Sequence, residues 1–383
     1  DRIKHVPAAF GEADVMKIVL TLPGVKTVGE ASGGFNVRGG ATDQNLILFN
    51  DGTIYNPTHL FGLFSAFNAD IVNDIELYKS TIPARYGGRI SSVLEINSRD
   101  GNSKKITGSA GIGLLTGKFH LEGPIIKNKT NFIIGARTTY SDWILGMLPE
   151  SSGYKNGTAA FHDITAGISH KIDSKNTLYL NAYYSKDGFK FNTDTSFYYQ
   201  NLNASLKWRS LINEHHNLVI SAGYDHYNYK TSDVGNAVNS YSMNFAIKQI
   251  FLKANFNWLI NEKHSLNYGL NSVFYQLNPG SLLPIGDESL VIPKILSVER
   301  ATESALYLSD NWSISDKLSL DLGLRYSYYT ALGEKTYYKY FPGEPRSELS
   351  ITDTVTVGAG KFVKPYHGPE FRISARYAFN NDF

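Results

Sequence analysis

The sequence predicts a mostly β protein, a transmembrane antiparallel β-barrel preceded by a smaller α+β domain. Three observations carry that prediction. Long stretches alternate apolar and polar residues over about ten positions, and a tilted strand needs roughly 9–11 residues to cross a bilayer. Short polar turns take turns with long, variable connections, as in barrels of the outer-membrane kind. The early part of the chain lacks this rhythm and shows short apolar runs, one helical stretch and glycine-rich turns.

The alternation is clearest from Leu318 to Tyr328. Leu318, Leu320, Leu322, Leu324, Tyr326 and Tyr328 share one parity, and Ser319, Asp321, Gly323, Arg325 and Ser327 share the other. Successive strand side chains point to opposite faces, so one face is apolar and the other polar. Leu266, Tyr268, Leu270 and Phe274 repeat the pattern, as do Leu178, Leu180, Ala182 and Tyr184, and Leu218, Ile220, Ala222 and Tyr224. Tyr326, Tyr328, Tyr329 and Trp312, near strand ends, fit an interfacial girdle.

The short turns fall at 127–129, 173–176, 213–216, 261–263, 316–317 and 380–382. Between them lie longer connections at 142–157, 278–297 and 331–367. By convention the short side is periplasmic and the long side extracellular. Strands are expected near 106–126, 130–142, 160–172, 177–191, 197–212, 217–231, 239–260, 264–277, 299–315, 318–330 and 369–380. That makes about eleven of about twenty-two, an odd number that cannot close a bacterial barrel. An open edge cannot face lipid, since each unpaired backbone group there costs several kcal/mol, so the barrel reads as incomplete in this stretch. The character changes near Asp100–Lys105, which divides the chain into residues 1–103 and 104–383.

Composition agrees with this and removes several function classes. Of 383 residues, 42% are hydrophobic and 13% aromatic, with 25 Tyr and 21 Phe. No run of about 18 apolar residues occurs, which argues against a transmembrane helix. With no Cys, a disulfide framework, a thiolate metal site and a Cys nucleophile are all excluded. The net charge of +2 is too small to suggest a nucleic-acid partner. No charged segment followed by an apolar one opens the chain, so any signal peptide is expected outside it.

Residues 8 to about 100 carry a set of motifs in a specific order. Val19-Leu20-Thr21-Leu22-Pro23-Gly24-Val25 is followed by Phe35-Asn36-Val37-Arg38-Gly39-Gly40, then by Asn45-Leu46-Ile47-Leu48-Phe49-Asn50-Asp51-Gly52. Ile75-Glu76-Leu77-Tyr78-Lys79 and Ala84-Arg85-Tyr86-Gly87-Gly88-Arg89 complete the set. In order and spacing this segment resembles the plug domain of TonB-dependent outer-membrane receptors. Ser80-Thr81 replace the glycine often found after the lysine, and Asn50 precedes the aspartate-glycine turn where an acidic or apolar residue is as common. The flavour is similar to receptors of Bacteroidetes-type bacteria, which often work with a surface lipoprotein.

The resemblance implies an outer-membrane protein that takes up a siderophore, glycan or peptide with a TonB-type energy-coupling protein as partner. No coupling box is evident after Asp1, so that segment is expected to be either missing from this stretch or lost. The alternative is a non-transporting barrel, a subunit of an outer-membrane assembly or secretion complex, with other subunits and lipid as partners.

Structurally, Gly39, Gly40, Gly52, Gly87 and Gly88 suit positive φ or close backbone approach, and Asp51-Gly52 between apolar runs is a hairpin signal. Tyr86 belongs to the same motif set. Arg38 and Arg89 are expected to hydrogen-bond carboxylates of the barrel lumen rather than a ligand. The segment Tyr55–Phe64 is too apolar for a plain loop and too rich in Gly and Pro for a helix. Tyr55, His59, Phe61 and Phe64 are therefore candidate ligand contacts on an apical loop. The preferred competing reading places Leu60, Phe61, Leu63 and Phe64 in the core of the domain.

Enzymatic chemistry finds no support. The glycines at 33–34 and 39–40 lack the βαβ context of a dinucleotide loop. His215-His216 sit in a polar turn with no second pair, so no metal is expected. No G-x-S-x-G elbow is present. No catalytic residue and no cofactor are assigned.

Overall fold

A computed structural model describes residues 14–379, apart from 30–32, 153, 154, 156 and 191–193. The turn expected at 380–382 and the segment before Asp14 lie outside the described residues.

The N-terminal part opens with a helix, Val15–Leu20, whose first turn is capped by Asp14: its carboxylate accepts from the Lys17 amide at 3.0 Å. A four-stranded sheet follows, in the order Gly52–Thr53, Asn45–Phe49, Ser92–Ser98, Val72–Tyr78. Asn45–Phe49 and Ser92–Ser98 run parallel and both are central. That explains the near-continuous apolar run Val93-Leu94-Glu95-Ile96, since a strand covered on both faces cannot alternate. Leu94 and Ile96 join Val15, Val19, Phe35 and Phe67 in one core. Val93 packs on the opposite face with Leu48 and Tyr86.

The rest of the described chain is one large antiparallel sheet, in which nearly every strand pairs with its neighbours in sequence, and one separate hairpin. The alternation read from the sequence is observed directly. Leu322, Leu324 and Tyr326 are 38%, 44% and 46% exposed, while Arg325 between them is 3% exposed and points at the N-terminal domain. The polar face thus lies inside, against the first domain, and the apolar face lies outside. Strands reach 21 residues in His264–Pro284, well beyond the roughly 9–11 that span a bilayer, so the long-loop ends project past it.

Two expectations change. The stretch expected as a single strand at 106–126 is a hairpin, Thr107–Ile112 and Thr116–Ile126, turning at Gly113. The run Gly108-Ser109-Ala110-Gly111-Ile112-Gly113 has too little side-chain contrast for the turn to stand out. Among the described residues twelve strands therefore follow one another along the wall, with the short Lys294–Ile295 attached beside them. The connection expected at 331–367 contains its own hairpin, Lys335–Tyr340 with Ile351–Val357, and the last wall strand starts earlier than expected, at Phe362.

The wall is open as expected, although its strand number is even. Among the described residues, Thr107–Ile112 and Phe362–Tyr377 each pair on one side only. Short turns are locally specified: Asp173 accepts from the amides of Lys175 at 2.7 Å and Asn176 at 2.8 Å, closing the turn from within.

Candidate functional site

Three segments of the first domain meet the polar face of the wall. The first is the hairpin at Asn50-Asp51, where both residues adopt positive φ, 48° and 72°. A two-residue turn of this twist matches that of the flanking strands, and Asn and Asp tolerate it. The Asp51 carboxylate accepts from Lys207 at 2.7 Å and Ser221 at 3.1 Å, and its carbonyl accepts from Lys253 at 2.7 Å. Burial alone would raise the Asp51 carboxyl, but the charges of Lys207 and Lys253 hold it at about 2. Gly52 is required for closeness rather than for φ, because a Cβ there would lie 1.5 Å from Asn203 Nδ2. Beyond it, Thr53 N donates to Asp225 at 3.0 Å and Tyr55 Oη to Gln249 at 2.7 Å.

The second segment is centred on His59, which is fully buried. Its Nδ1 lies 2.8 Å from Asp187 and its Nε2 3.1 Å from Asp163, both on wall strands. The imidazole stacks on Phe161 at 4.1 Å with 6° between planes. Asp163 also takes a forked contact from Arg137, whose other bond reaches Ser65 O at 2.8 Å. Burial disfavours the charged imidazole, yet the two carboxylates outweigh that and hold His59 at about 8, so at neutral pH both ring nitrogens donate.

The third segment is the turn at 82–89. Here the expected roles are reversed. Arg325 of the wall donates to the carbonyls of Ala84 at 3.3 Å and Arg85 at 3.1 Å, and Arg372 donates to Ile82 at 3.0 Å and to Pro83. Arg38 is exposed, and Arg89 donates to the carbonyl of its neighbour Gly88 at 2.7 Å. Neither makes a bond to a wall carboxylate among the described residues. The reason is geometric: backbone carbonyls of a tight turn are acceptors, so the fork that reads them must come from the other side. Gly88 has φ 73°, Gly39 has φ 84°, and a Cβ on Gly87 would lie 2.5 Å from Arg325 Nε. At Gly40 it would lie 2.3 Å from Ser91 Oγ. Tyr86 Oη donates to Glu95, which also pairs with Arg85 at 3.0 Å.

Above these contacts, on the long-loop side, opens a cavity of about 1600 Å³. Tyr55, Gly88 and Arg89 form its floor, and Tyr275, Glu303 and Tyr329 belong to its wall. Of the four candidate ligand contacts only Tyr55 lines it. His59 is buried, Phe64 packs on Phe161 at 5.4 Å, and Phe61 meets Phe189 at 4.0 Å. The competing reading needs correction too. Leu60 and Phe64 are buried, but against Leu115 and Phe161 of the wall rather than in the domain's own core, and Leu63 is exposed. Their surroundings come from strands far away in sequence, which a local reading does not supply. The wall residues Arg137, Asp163, Asp187, Lys207, Lys253 and Arg325 were missed as partners. Their signal was a charge at a polar-parity position inside a long alternating strand.

An N-terminal domain seated against the polar face of a β wall matches what comparison finds. The model of the "TonB dependent receptor-like, beta-barrel" family matches residues 127–383, and that of the "TonB-dependent Receptor Plug Domain" matches residues 7–93. The chain belongs to the TonB-dependent receptor family. It is an outer-membrane protein of plug-and-barrel architecture, and the family is one of receptors rather than enzymes. Among solved structures it is similar to a mutant of the ferric enterobactin receptor of Pseudomonas aeruginosa, at 16% identity and TM-score 0.63, covering 87% of this chain and 58% of that one. The copper transporter OprC aligns over 97% of this chain and 60% of its own, at 9% identity and TM-score 0.71. Unliganded ferric citrate transporter FecA aligns over 98% and 59%, at 14% identity and TM-score 0.67. At these identities the likeness concerns the fold. This receptor chain spans about three fifths of the length of those structures. No curated protein matches it.

Proposed function

We propose that this chain is the plug and the first part of the barrel of an outer-membrane transporter that takes up a nutrient ligand. A siderophore, a glycan and a peptide are all in scope. The observation that carries the proposal is the cavity of about 1600 Å³ on the long-loop side, whose floor is plug and whose sides are barrel. A ligand bound there touches both bodies at once, so binding can bias how the plug sits. Tyr55, Tyr275 and Tyr329 offer aromatic faces, while Arg89 and Glu303 offer charges of both signs. The plug packs on the polar face of the wall through buried contacts, so passage along it requires work on the plug. A TonB-type protein on the periplasmic side is the natural source of that work, and the named solved structures that share this fold include transporters of copper and ferric citrate. A surface lipoprotein over the long loops and lipid around the apolar face are the further partners proposed.

The test is growth and uptake by a strain lacking the gene, compared with its complemented parent across siderophore, glycan and peptide nutrients. Loss of one nutrient, restored by complementation, supports transport. Unchanged uptake of all of them, with stable co-purification of other outer-membrane subunits, would replace this proposal with that of a non-transporting barrel.

A further inference from the structure

The apolar outer face of the wall does not continue to the ends of its strands. Across the consecutive strands Thr158–Lys171, Asn176–Lys190, Thr195–Asn213, His216–Asp233 and Tyr241–Leu259 it runs through Ile164, Leu180, Leu206, Ile250 and Leu252, each about half exposed. On the long-loop side it gives way to basic residues of the same parity. His162 lies opposite Lys186, His226 opposite Lys248, and Lys230 opposite Tyr198. Residues paired across strands share a face and successive residues alternate, so these five basic side chains point outward, away from the plug. Asp163, Asp187 and Asp225 on the same strands have the opposite parity and bond to the plug.

Their height decides what they meet. Lys248 stands on the same strand and the same face as Trp258 at the short-turn rim. About ten residues at ~3.3 Å each, tilted by roughly 40°, rise about 25 Å, which is the height of the apolar band in a barrel of this kind. The basic residues therefore sit at the upper edge of the hydrocarbon, where an outward lysine costs little, rather than at its midplane, where it costs much. Among the described residues Lys186, Lys230 and Lys248 form no ion pair, unlike Lys118, Lys207 and Lys335. Asp194, just beyond them, lies 4.0 Å from Lys190. A cleft of about 290 Å³ opens within the patch, with Lys186, Tyr198, Gln200, Asn228 and Lys230 in its lining.

We propose that this outward basic patch is a binding site for a phosphate-bearing glycolipid of the outer leaflet, whose phosphate is held between Lys186 and Lys230. The two lysines come from strands two apart, roughly 10 Å from each other, so both ammonium groups reach one anion seated over the strand between them. Tyr198, Gln200 and Asn228 add neutral donors for the remaining oxygens. His226 and Lys248 extend the positive charge along the rim for a second phosphate. The acyl chains of the same lipid run down over Ile164, Leu180 and Leu206, so one molecule meets both the charge and the apolar face below it. A soluble acidic protein would meet the charge alone. The proposal rests on the outer-membrane location and is independent of the transport reading.

The test uses the complete receptor in a neutral detergent, stripped of bound lipid, with binding read by native mass spectrometry. The probes are lipid A carrying two phosphates, the same lipid after phosphatase treatment, and inorganic phosphate. Removing the phosphates should weaken binding to the wild type at least about tenfold, and so should Lys186→Gln combined with Lys230→Gln, because bonds between charged groups are lost. Lys339→Gln combined with Lys364→Gln removes the same charge from exposed positions elsewhere and should leave binding unchanged. Inorganic phosphate in large excess should not displace the lipid. Equal binding of the two lipids, or equal binding by the Lys186 and Lys230 variant and the wild type, overturns the proposal. Displacement by inorganic phosphate overturns it too, since the site would then be one for a free anion. The two lipids are compared on the wild type, so that result decides even where the variant fails to fold.

Discussion

His59 of the plug lies 2.8 Å from Asp187 and 3.1 Å from Asp163 of the wall, with 128 and 104 residues of chain between the partners. An imidazolium with both nitrogens engaged neutralises charge that would otherwise be buried, and Arg137 forks onto Asp163 from behind.

Removing the imidazole should therefore hurt more than loss of a neutral contact. His59→Ala leaves two buried carboxylates with one cation, and breaking a buried ion pair from one side costs about 3–5 kcal/mol. The expected result is a lowered unfolding temperature and faster proteolysis of the plug in detergent, read against a parent receptor whose barrel remains intact. Unchanged plug protection would mean that the two aspartates are satisfied in another way.

The same site predicts a pH dependence. Burial pulls the imidazole down, Asp187 and Asp163 push it up, and the balance is about 8 against about 6.5 in an unfolded chain. A raised folded value means that the stabilisation is fully present below about pH 6.5 and is lost as pH rises through about 8, on the order of 2 kcal/mol in all. Arg137, behind Asp163, stays charged across this range, so the slope belongs to His59. Thermal midpoints between about pH 6 and pH 9 should fall in the wild type and stay flatter in His59→Gln.

Asp51 behaves in the opposite sense. Its value of about 2, below the unfolded value of about 3.9, contributes stability that is present above about pH 4 and fades as pH falls through about 2. Asp51→Asn keeps a residue tolerant of positive φ but leaves Lys207 and Lys253 without their anion. The pair is partly exposed, so a loss of about 1–3 kcal/mol is expected rather than the full penalty of a buried pair. Acid titration of plug unfolding in the two proteins measures it.

Gly52→Ala tests close approach without changing charge. The new methyl would fall 1.5 Å from Asn203 Nδ2 and 2.5 Å from Asp225 Oδ1, so the hairpin must lift from the wall. Overpacking typically costs about 1–3 kcal/mol. Pairing it with Asn203→Ala should recover part of the loss, and a double-mutant cycle with no coupling would refute direct contact.

Arginines on the two bodies should respond differently. Arg325→Ala removes the charged Nη1 donor shared by the carbonyls of Ala84 and Arg85, worth about 1.5–3 kcal/mol, and should raise hydrogen exchange across 82–89. Arg38→Ala, at an exposed position, should stay within about 0.5 kcal/mol of the wild type.

By itself the sequence determined the alternating wall, which face of each strand is polar, and the order of the plug's turns. These are local properties: a strand sends successive side chains to opposite sides, and the Asn50-Asp51 turn is specified by residues that accept positive φ. The hairpin at Gly113 escaped because small residues carry no contrast between faces. What only the tertiary structure decided is which polar-face residues meet the plug. His59 finds Asp163 and Asp187, and the carbonyls of Ala84 and Arg85 find Arg325, because neighbouring wall strands stack these side chains at matching heights around one domain. Sequence spacing carries no record of that registration, since it depends on how the plug is turned inside the barrel, and the packing of two separate bodies sets that.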